Sequence, residues 1–174
     1  MKEIEGALHV CKEALYLIER LEEAGFEAYV VGGCLRDALL GKKAHDVDLT
    51  TSALPKELAR VFSGFHLCET GLAHGTLTVF VGDMPLEVTT YSIDGAYEDH
   101  RRPKQVRFSR QVEEDLARRD FTINAMAWNP RQGLVDPFGG KDDLRCGILR
   151  CVGDPRLRFT EDALRILRTL RFRA

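Results

Sequence analysis

The sequence predicts an α+β fold: a mixed, mostly antiparallel sheet of about five strands with helices on one side, followed by a helical C-terminal stretch. Three observations carry this. An apolar run from Phe26 to Val31, rich in β-branched residues, enters a Gly32-Gly33 step, a short helix leaves it, and a second strand brings Asp46-Val47-Asp48. Leu77 to Val81 and Leu86 to Tyr91 flank Gly82-Asp83, the signal of a tight hairpin. Ile4, Leu8, Cys11, Leu15, Ile18 and Leu21 recur in steps of three and four, the stripe of an amphipathic helix over 3–23 that Gly25 ends.

In chain order, the segment after the glycine step reads as a helix from Leu35 to Leu40, closed by Gly41. Val47 to Thr50 form the second strand, and Ser52-Ala53-Leu54-Pro55 opens a helix through Phe62, with proline suited to its first turn. Phe65 to Thr70 make a short strand before the hairpin. Residues 92–104 carry both charges without an apolar face and read as a polar loop, of a length that tends to be functional. A short strand over 105–108 follows, then a helix over 113–127 that buries Leu116, Phe121, Ile123, Ala125 and Met126. Asp136-Pro137-Phe138-Gly139-Gly140 is a turn cluster and the best boundary, dividing 1–140 from 141–174. Ile148 to Val152 read as a last strand, and Thr160 as the N-cap of a final helix.

A chain of 174 residues can bury one real core. With 44% hydrophobic and 30% charged residues its composition is that of a soluble globular protein. No apolar run approaches membrane-spanning length and Met1-Lys2-Glu3-Ile4 opens no signal peptide, so a cytoplasmic protein without a membrane partner is expected. Five cysteines, at 11, 34, 68, 146 and 151, are odd in number and form no CxxC, which predicts reduced thiols rather than disulfides or zinc. The net charge of −2 hides an asymmetry: residues 145–174 hold 8 Arg against 3 acids. Such a stretch can follow a phosphate backbone or simply be a solvated helix face.

The chemistry concentrates early. In a strand Asp46 and Asp48 share a face while Val47 points to the core. Paired carboxylates repel unless a cation lies between them, and Mg²⁺ is commonly held by one or two carboxylates plus substrate phosphates. The Gly32-Gly33 turn ahead of a helix offers N–H groups to an anion. Farther on, Glu87 shares a strand face with Thr89 and Tyr91; by local pattern alone it is a solvated side chain. Arg118-Arg119 beside Asp120 reads either as a surface ion pair or as planar forks for a triphosphate. Asp162, Arg165, Arg168 and Arg171 follow helical spacing, which is usually an exposed face.

Gly32-Gly33-Cys34-Leu35-Arg36-Asp37 followed by Asp46-Val47-Asp48 resembles the signature of polymerase-β-like nucleotidyltransferases. The nearest branch holds the class II tRNA CCA-adding enzymes and bacterial poly(A) polymerases. Tyr97-Glu98-Asp99-x-Arg101-Arg102-Pro103 is similar to that branch's flexible loop, and Arg118-Arg119-Asp120-Phe121-Thr122-x-Asn124-Ala125 to its ribose-discriminating, nucleotide-holding motif. Asp136-Pro137-Phe138-Gly139-Gly140 and Glu161-Asp162-Ala163-Leu164-Arg165 complete the order. The resemblance implies a catalytic head and the start of a helical neck. It implies two Mg²⁺ ions on Asp46 and Asp48, with Glu87 as a third acid, and nucleotide contacts from Gly32, Gly33, Arg36, Arg119, Asp120 and Asn124. Asp162 and Arg165 would pair with the edge of an incoming C or A, with Arg168 and Arg171 nearby. The implied reaction adds C and A to a tRNA 3′ end from CTP and ATP, releasing pyrophosphate. Poly(A) synthesis and A-only or CC-only addition are alternatives within the class; a nucleotide- or RNA-binding module that kept the fold is the non-enzymatic one. Family members continue into further helical domains, so a fragment is expected, and tRNA addition by this chain alone is in doubt.

Overall fold

The computed structural model describes residues 10–42, 46–94, 97–98, 102–103 and 106–173. Ile4 and Leu8 of the expected first helix, and Asp99 and Arg101 of the loop motif, lie outside them. The chain begins with α1 (Lys12–Glu23), β1 (Ala28–Val31), α2 (Gly33–Leu39), β2 (Asp48–Thr51) and α3 (Pro55–Val61). Then come β3 (His66–Cys68), β4 (Thr76–Val81), β5 (Met84–Thr90), β6 (Ser92–Asp94), β7 (Tyr97–Glu98), β8 (Arg102–Pro103) and β9 (Val106–Phe108). It ends with α4 (Val112–Ala117), β10 (Ala127–Asn129), β11 (Gly133–Val135), α5 (Gly140–Cys146), α6 (Pro155–Glu161) and α7 (Leu164–Arg173).

The main sheet has seven strands in the order β11-β10-β1-β2-β5-β4-β3, and only the β2–β5 pair is parallel. The expected architecture, mixed and mostly antiparallel, is what forms. Strand alternation sorts the side chains: Ala28 and Val30 join Leu49, Leu77, Val79, Leu86 and Val88 in a core with α1, α2 and α3. Tyr29, Val31 and Tyr91 face the other way, against Val112 and Leu116 of α4. On this second face β2 and β5 bring their polar residues together.

Several sequence expectations need correction. The helix expected over 113–127 ends at Ala117, and Thr122–Asn124 form a 3₁₀ turn before β10. The predicted inward residues are buried, but in three different clusters. The carbonyl of Ala117 accepts the Arg158 guanidinium and that of Arg118 the Arg165 guanidinium (3.4 Å), so side chains from 40 or more residues on end the helix. The hairpin of β10 and β11, unforeseen in the sequence, adds the strands beyond the expected five; Asn129 Oδ1 closes its turn by accepting from the Arg131 and Gln132 amides.

The strand expected over 148–152 reduces to a single bridge, Phe121 to Cys151. The final helix is split at Asp162, whose backbone is extended (φ −144°, ψ 104°). Thr160 sits inside α6 and donates back to Arg156 O; the residue that caps α6 is Asp154. Within the expected polar loop over 92–104, the described residues are instead strand-paired. Ser92, Ile93 and Asp94 pair with Phe108, Arg107 and Val106, and Tyr97 and Glu98 with Pro103 and Arg102. Both ribbons are antiparallel, and their described pairs share one register along an arm that starts at Ser92.

A buried carboxylate pins α5 to the 3₁₀ turn. Asp143 accepts from Thr122 Oγ1 (2.7 Å) and from Arg150 Nε (2.9 Å), and the Arg150 hydrogen bonds hold its carboxyl below the usual range. The stability this pair contributes is therefore present above the ordinary carboxylate pKa and lost as pH falls through the lowered folded value. Asp143→Asn is expected to destabilise the fold by about 1–3 kcal/mol at neutral pH, a loss that shrinks in acid. Urea titrations at pH 7 and pH 3 check it; an equal loss at both would exclude the ion pair as the source.

Candidate functional site

The site is built where β2 and β5 run side by side. Their parallel register sets Asp48 directly against Glu87, so two carboxylates occupy neighbouring positions on one exposed face. Asp46, also exposed, lies just ahead of β2, while Val47 between them packs against the core. Desolvation against the sheet and repulsion from Glu87, with a smaller push from Asp46, raise the Asp48 carboxyl above its usual pKa; Arg119 pulls the other way. Glu87 is thus part of the acidic cluster, contrary to its local sequence pattern. Among the described residues no three His, Cys, Asp or Glu side chains close into a complete metal cage. What the site offers a cation is an unneutralised carboxylate edge with room for ligands from elsewhere, which suits Mg²⁺.

The glycine step approaches the same point. Gly32 is buried with φ +75°, and a Cβ placed on it would stand 3.3 Å from Arg119 Nη1 and 3.7 Å from Asp48 Oδ2. Any other residue at 32 would be strained in its backbone and would intrude between these two charges. Gly33 opens α2, and the Arg36 guanidinium folds back near it.

Arg118 and Arg119 are not a surface pair with Asp120. Both bind Asp115, which is fully buried: Arg118 Nη2 at 2.9 Å from Oδ1 and Arg119 Nη2 at 3.2 Å from Oδ2. The sequence reading missed Asp115, although an acid three and four positions before adjacent arginines is the helical spacing for such pairs. Asp120 turns elsewhere. Its Oδ1 accepts from the Phe121 amide and from Asn124 Nδ2, and its Oδ2 from Arg168 Nη1 (3.0 Å). Asn124 Oδ1 in turn accepts from Arg36 Nη1 (2.8 Å). Arg36, Asn124, Asp120 and Arg168 therefore form one chain of hydrogen bonds, joined to Arg119 through Asn124 O (3.5 Å). Phe172 locks α7 on this network, its ring 5.0 Å from Arg36 Cζ and edge-on to Phe121.

The remaining expected residues are less central. Arg165 is buried, donating to Arg158 O and Arg118 O at the end of α4. Asp162 Oδ1 accepts from the Leu164 amide and so caps α7. Arg171 is exposed. Of the expected arginine stripe, then, Arg165 and Arg168 face the head and Arg171 faces solvent.

Comparisons with known proteins agree with this fold. A family model described as the Poly A polymerase head domain matches residues 28–150. The CCA-adding enzyme of Lactobacillus helveticus is 49% identical over 160 residues, covering 92% of this chain and 40% of the relative. That of Streptococcus gordonii is 50% identical over 163 residues, covering 94% and 40%. The chain thus spans about 40% of the length of the curated relatives it matches. Among solved structures, the Bacillus stearothermophilus CCA-adding enzyme in complex with CTP superposes with a TM-score of 0.83 at 44% identity, covering 92% of this chain and 38% of that one. The Thermotoga maritima CCA-adding enzyme complexed with tRNA gives a TM-score of 0.73 at 30% identity, covering 98% and 40%. With most of its length matched by the family model and its fold shared with these solved structures, this chain belongs to the Poly A polymerase head domain family.

Proposed function

We propose that this chain is the nucleotidyl-transfer head of a CCA-adding enzyme (residues 1–140) with the start of its helical neck (residues 141–174). The reaction is attack by a tRNA 3′-hydroxyl on the α-phosphate of CTP or ATP, with pyrophosphate leaving in line. One observation carries the reading: the Asp48 carboxyl, raised in pKa by desolvation and by the Glu87 carboxylate paired opposite it, lies beside Arg119 and a buried positive-φ glycine. Relatives named for CCA addition at 48–50% identity, and a structural neighbour in complex with CTP, support it.

Asp46 and Asp48 would hold two Mg²⁺ ions, with Glu87 assisting. When bound, Mg²⁺ supplies positive charge to the reacting phosphate and lowers the pKa of a coordinated hydroxyl. Arg119 forks onto the triphosphate, and the absence of a side chain at Gly32 lets phosphate approach the backbone there. Asp120 and Asn124, held by Arg168 and Arg36, would read the ribose. Asp162 and Arg165 would read the base, which requires them to leave the contacts they make at α7 and α4. A cytoplasmic setting fits the five free cysteines; among the described residues no helix is long and apolar enough to cross a membrane.

The test is thermal unfolding with Mg²⁺ and each of the four nucleoside triphosphates. A ligand that binds only the folded chain stabilises by about 2.7 kcal/mol at a hundredfold excess over Kd. CTP and ATP are expected to raise the midpoint, GTP and UTP to leave it unchanged. A response to ATP alone would favour poly(A) or A-only addition. A response to none would sink the nucleotide reading of this chain.

A further inference from the structure

Asp115 is the most deeply committed charge near the site, and it touches neither the acidic pair nor the glycine step. It is fully buried, with 0% exposure. Its Oδ1 accepts from Arg118 Nε (3.0 Å) and from the Ser92 amide (3.2 Å) at the root of the hairpin arm. Its Oδ2 accepts from Arg119 Nη2 (3.2 Å) and from Thr50 Oγ1 (3.4 Å) on β2. Four donors from three segments, the end of α4, β6 and β2, satisfy a carboxylate that would otherwise be expensive to bury.

The charges do not balance. One carboxylate serves two guanidiniums, so one positive charge is left over, and the geometry places it on Arg119. Its Nε is buried with no hydrogen-bond partner among the described residues, and its Nη1 reaches only Asn124 O at a long 3.5 Å. Asp48 stands on the other side of the same glycine: a Cβ on Gly32 would be 3.3 Å from Arg119 Nη1 and 3.7 Å from Asp48 Oδ2. An unneutralised carboxylate and an under-satisfied guanidinium lie this close, yet among the described residues Arg119 forms its ion pair with Asp115 and not with Asp48. A modest swing of a long side chain would join them. That pair would neutralise both the carboxylate a cation needs and the guanidinium an anion needs.

We propose that Asp115 is a positioning residue that tethers Arg119 away from Asp48, keeping the two opposite charges of the site apart so that each is open to its own ligand. This rests on the reading of Asp48 as a cation ligand. The tether explains why a buried acid sits at the third and fourth positions before the arginines. It also accounts for the bare Gly32 between the charges, which keeps the gap open to a phosphate. Through Ser92, the same carboxylate holds the root of the arm in register with the arginines.

The test is a Mn²⁺ titration of the full 174-residue chain, followed by the loss of the free-ion electron paramagnetic resonance signal. Asp115→Asn, Arg119→Gln and the double variant are compared with the parent, each shown to be folded by its thermal transition in EDTA. Asp115→Asn is expected to weaken Mn²⁺ binding about tenfold, because the released Arg119 pairs with Asp48. Adding Arg119→Gln is expected to restore the parent's affinity, a rescue that a merely structural Asp115 would not permit. Unchanged affinity in Asp115→Asn, or a double variant as weak as Asp115→Asn, overturns the proposal. Should Asp115→Asn fail to fold, Arg119→Gln alone decides: it must bind Mn²⁺ at least as tightly as the parent, and weaker binding overturns the tether. A parent chain with no saturable Mn²⁺ binding overturns the cation reading of Asp48 and this inference with it, and the parent titration identifies that failure by itself.

Discussion

Asp48→Asn lowers nucleotide incorporation by about 10³-fold or more and, in the same protein, raises the thermal midpoint measured in EDTA. On the proposed function, the first effect follows from removing a carboxylate whose cation would be worth several kcal/mol at the transferring phosphate, each 1.36 kcal/mol being a factor of ten in rate. The second follows from the direction of its pKa shift. Desolvation and Glu87 raise the Asp48 carboxyl above its ordinary value, so the folded chain holds that proton more tightly than the unfolded one. The contribution to stability is full below the ordinary carboxylate pKa and is lost as pH rises through the raised folded value. At neutral pH the ionised side chain therefore works against the cation-free fold, and a neutral isostere relieves it. Asp46→Asn is expected to abolish incorporation with the fold intact. The checks are single-nucleotide incorporation on a tRNA lacking its 3′ CCA and unfolding with and without Mg²⁺. Residual turnover near the parent level would remove Asp48 from the metal site. A lowered midpoint in EDTA would show that Asp48 supports the fold.

Gly140→Ala is expected to destabilise the chain by about 3 kcal/mol, at the upper end of what overpacking does. A Cβ at 140 would stand 2.1 Å from Thr122 O and 2.7 Å from Thr122 C, both backbone atoms that cannot rotate aside. The carbonyl belongs to the 3₁₀ turn Thr122–Asn124, which carries Asn124 into the network around Arg36 and Asp120. Relief of the clash must therefore shift α5 or the turn, and the second choice disturbs the site. Gly139→Ala is the control: its φ of +70° strains any side chain, but a Cβ there meets nothing within 4 Å. That variant is expected to lose only about 1–2 kcal/mol and to leave nucleotide binding unchanged. Denaturant titration of both variants checks the contrast; equal losses would mean that backbone conformation, not contact with Thr122, decides the cluster.

What was legible in the sequence was whatever short-range pattern determines. The glycine step, the hairpin across Gly82-Asp83 and the apolar stripe of α1 each depend on neighbours a few residues away. Side-chain alternation and turn chemistry are enough to read them. The helix expected over 113–127 failed because its end is decided by Arg158 and Arg165, two side chains from α6 and α7 that fill the last carbonyls of α4. The strand expected over 105–108 is there as β9, but its described partners in 92–103 were unreadable as strands because cross-strand pairing, not an apolar face, holds them.

For the site, the sequence by itself determined which groups could do chemistry: paired aspartates, a bare glycine turn, adjacent arginines. Only the tertiary structure decided their partners. Parallel pairing of β2 with β5 moved Glu87 from a solvated side chain to the acid opposite Asp48. Asp115, at helical spacing before Arg118 and Arg119, is their counter-charge in place of the adjacent Asp120, which went to Arg168. The reason is physical: an ion pair's partner is chosen by distance and desolvation in the folded chain, and for Asp120 and Arg168, 48 residues apart, neither can be read from separation along it.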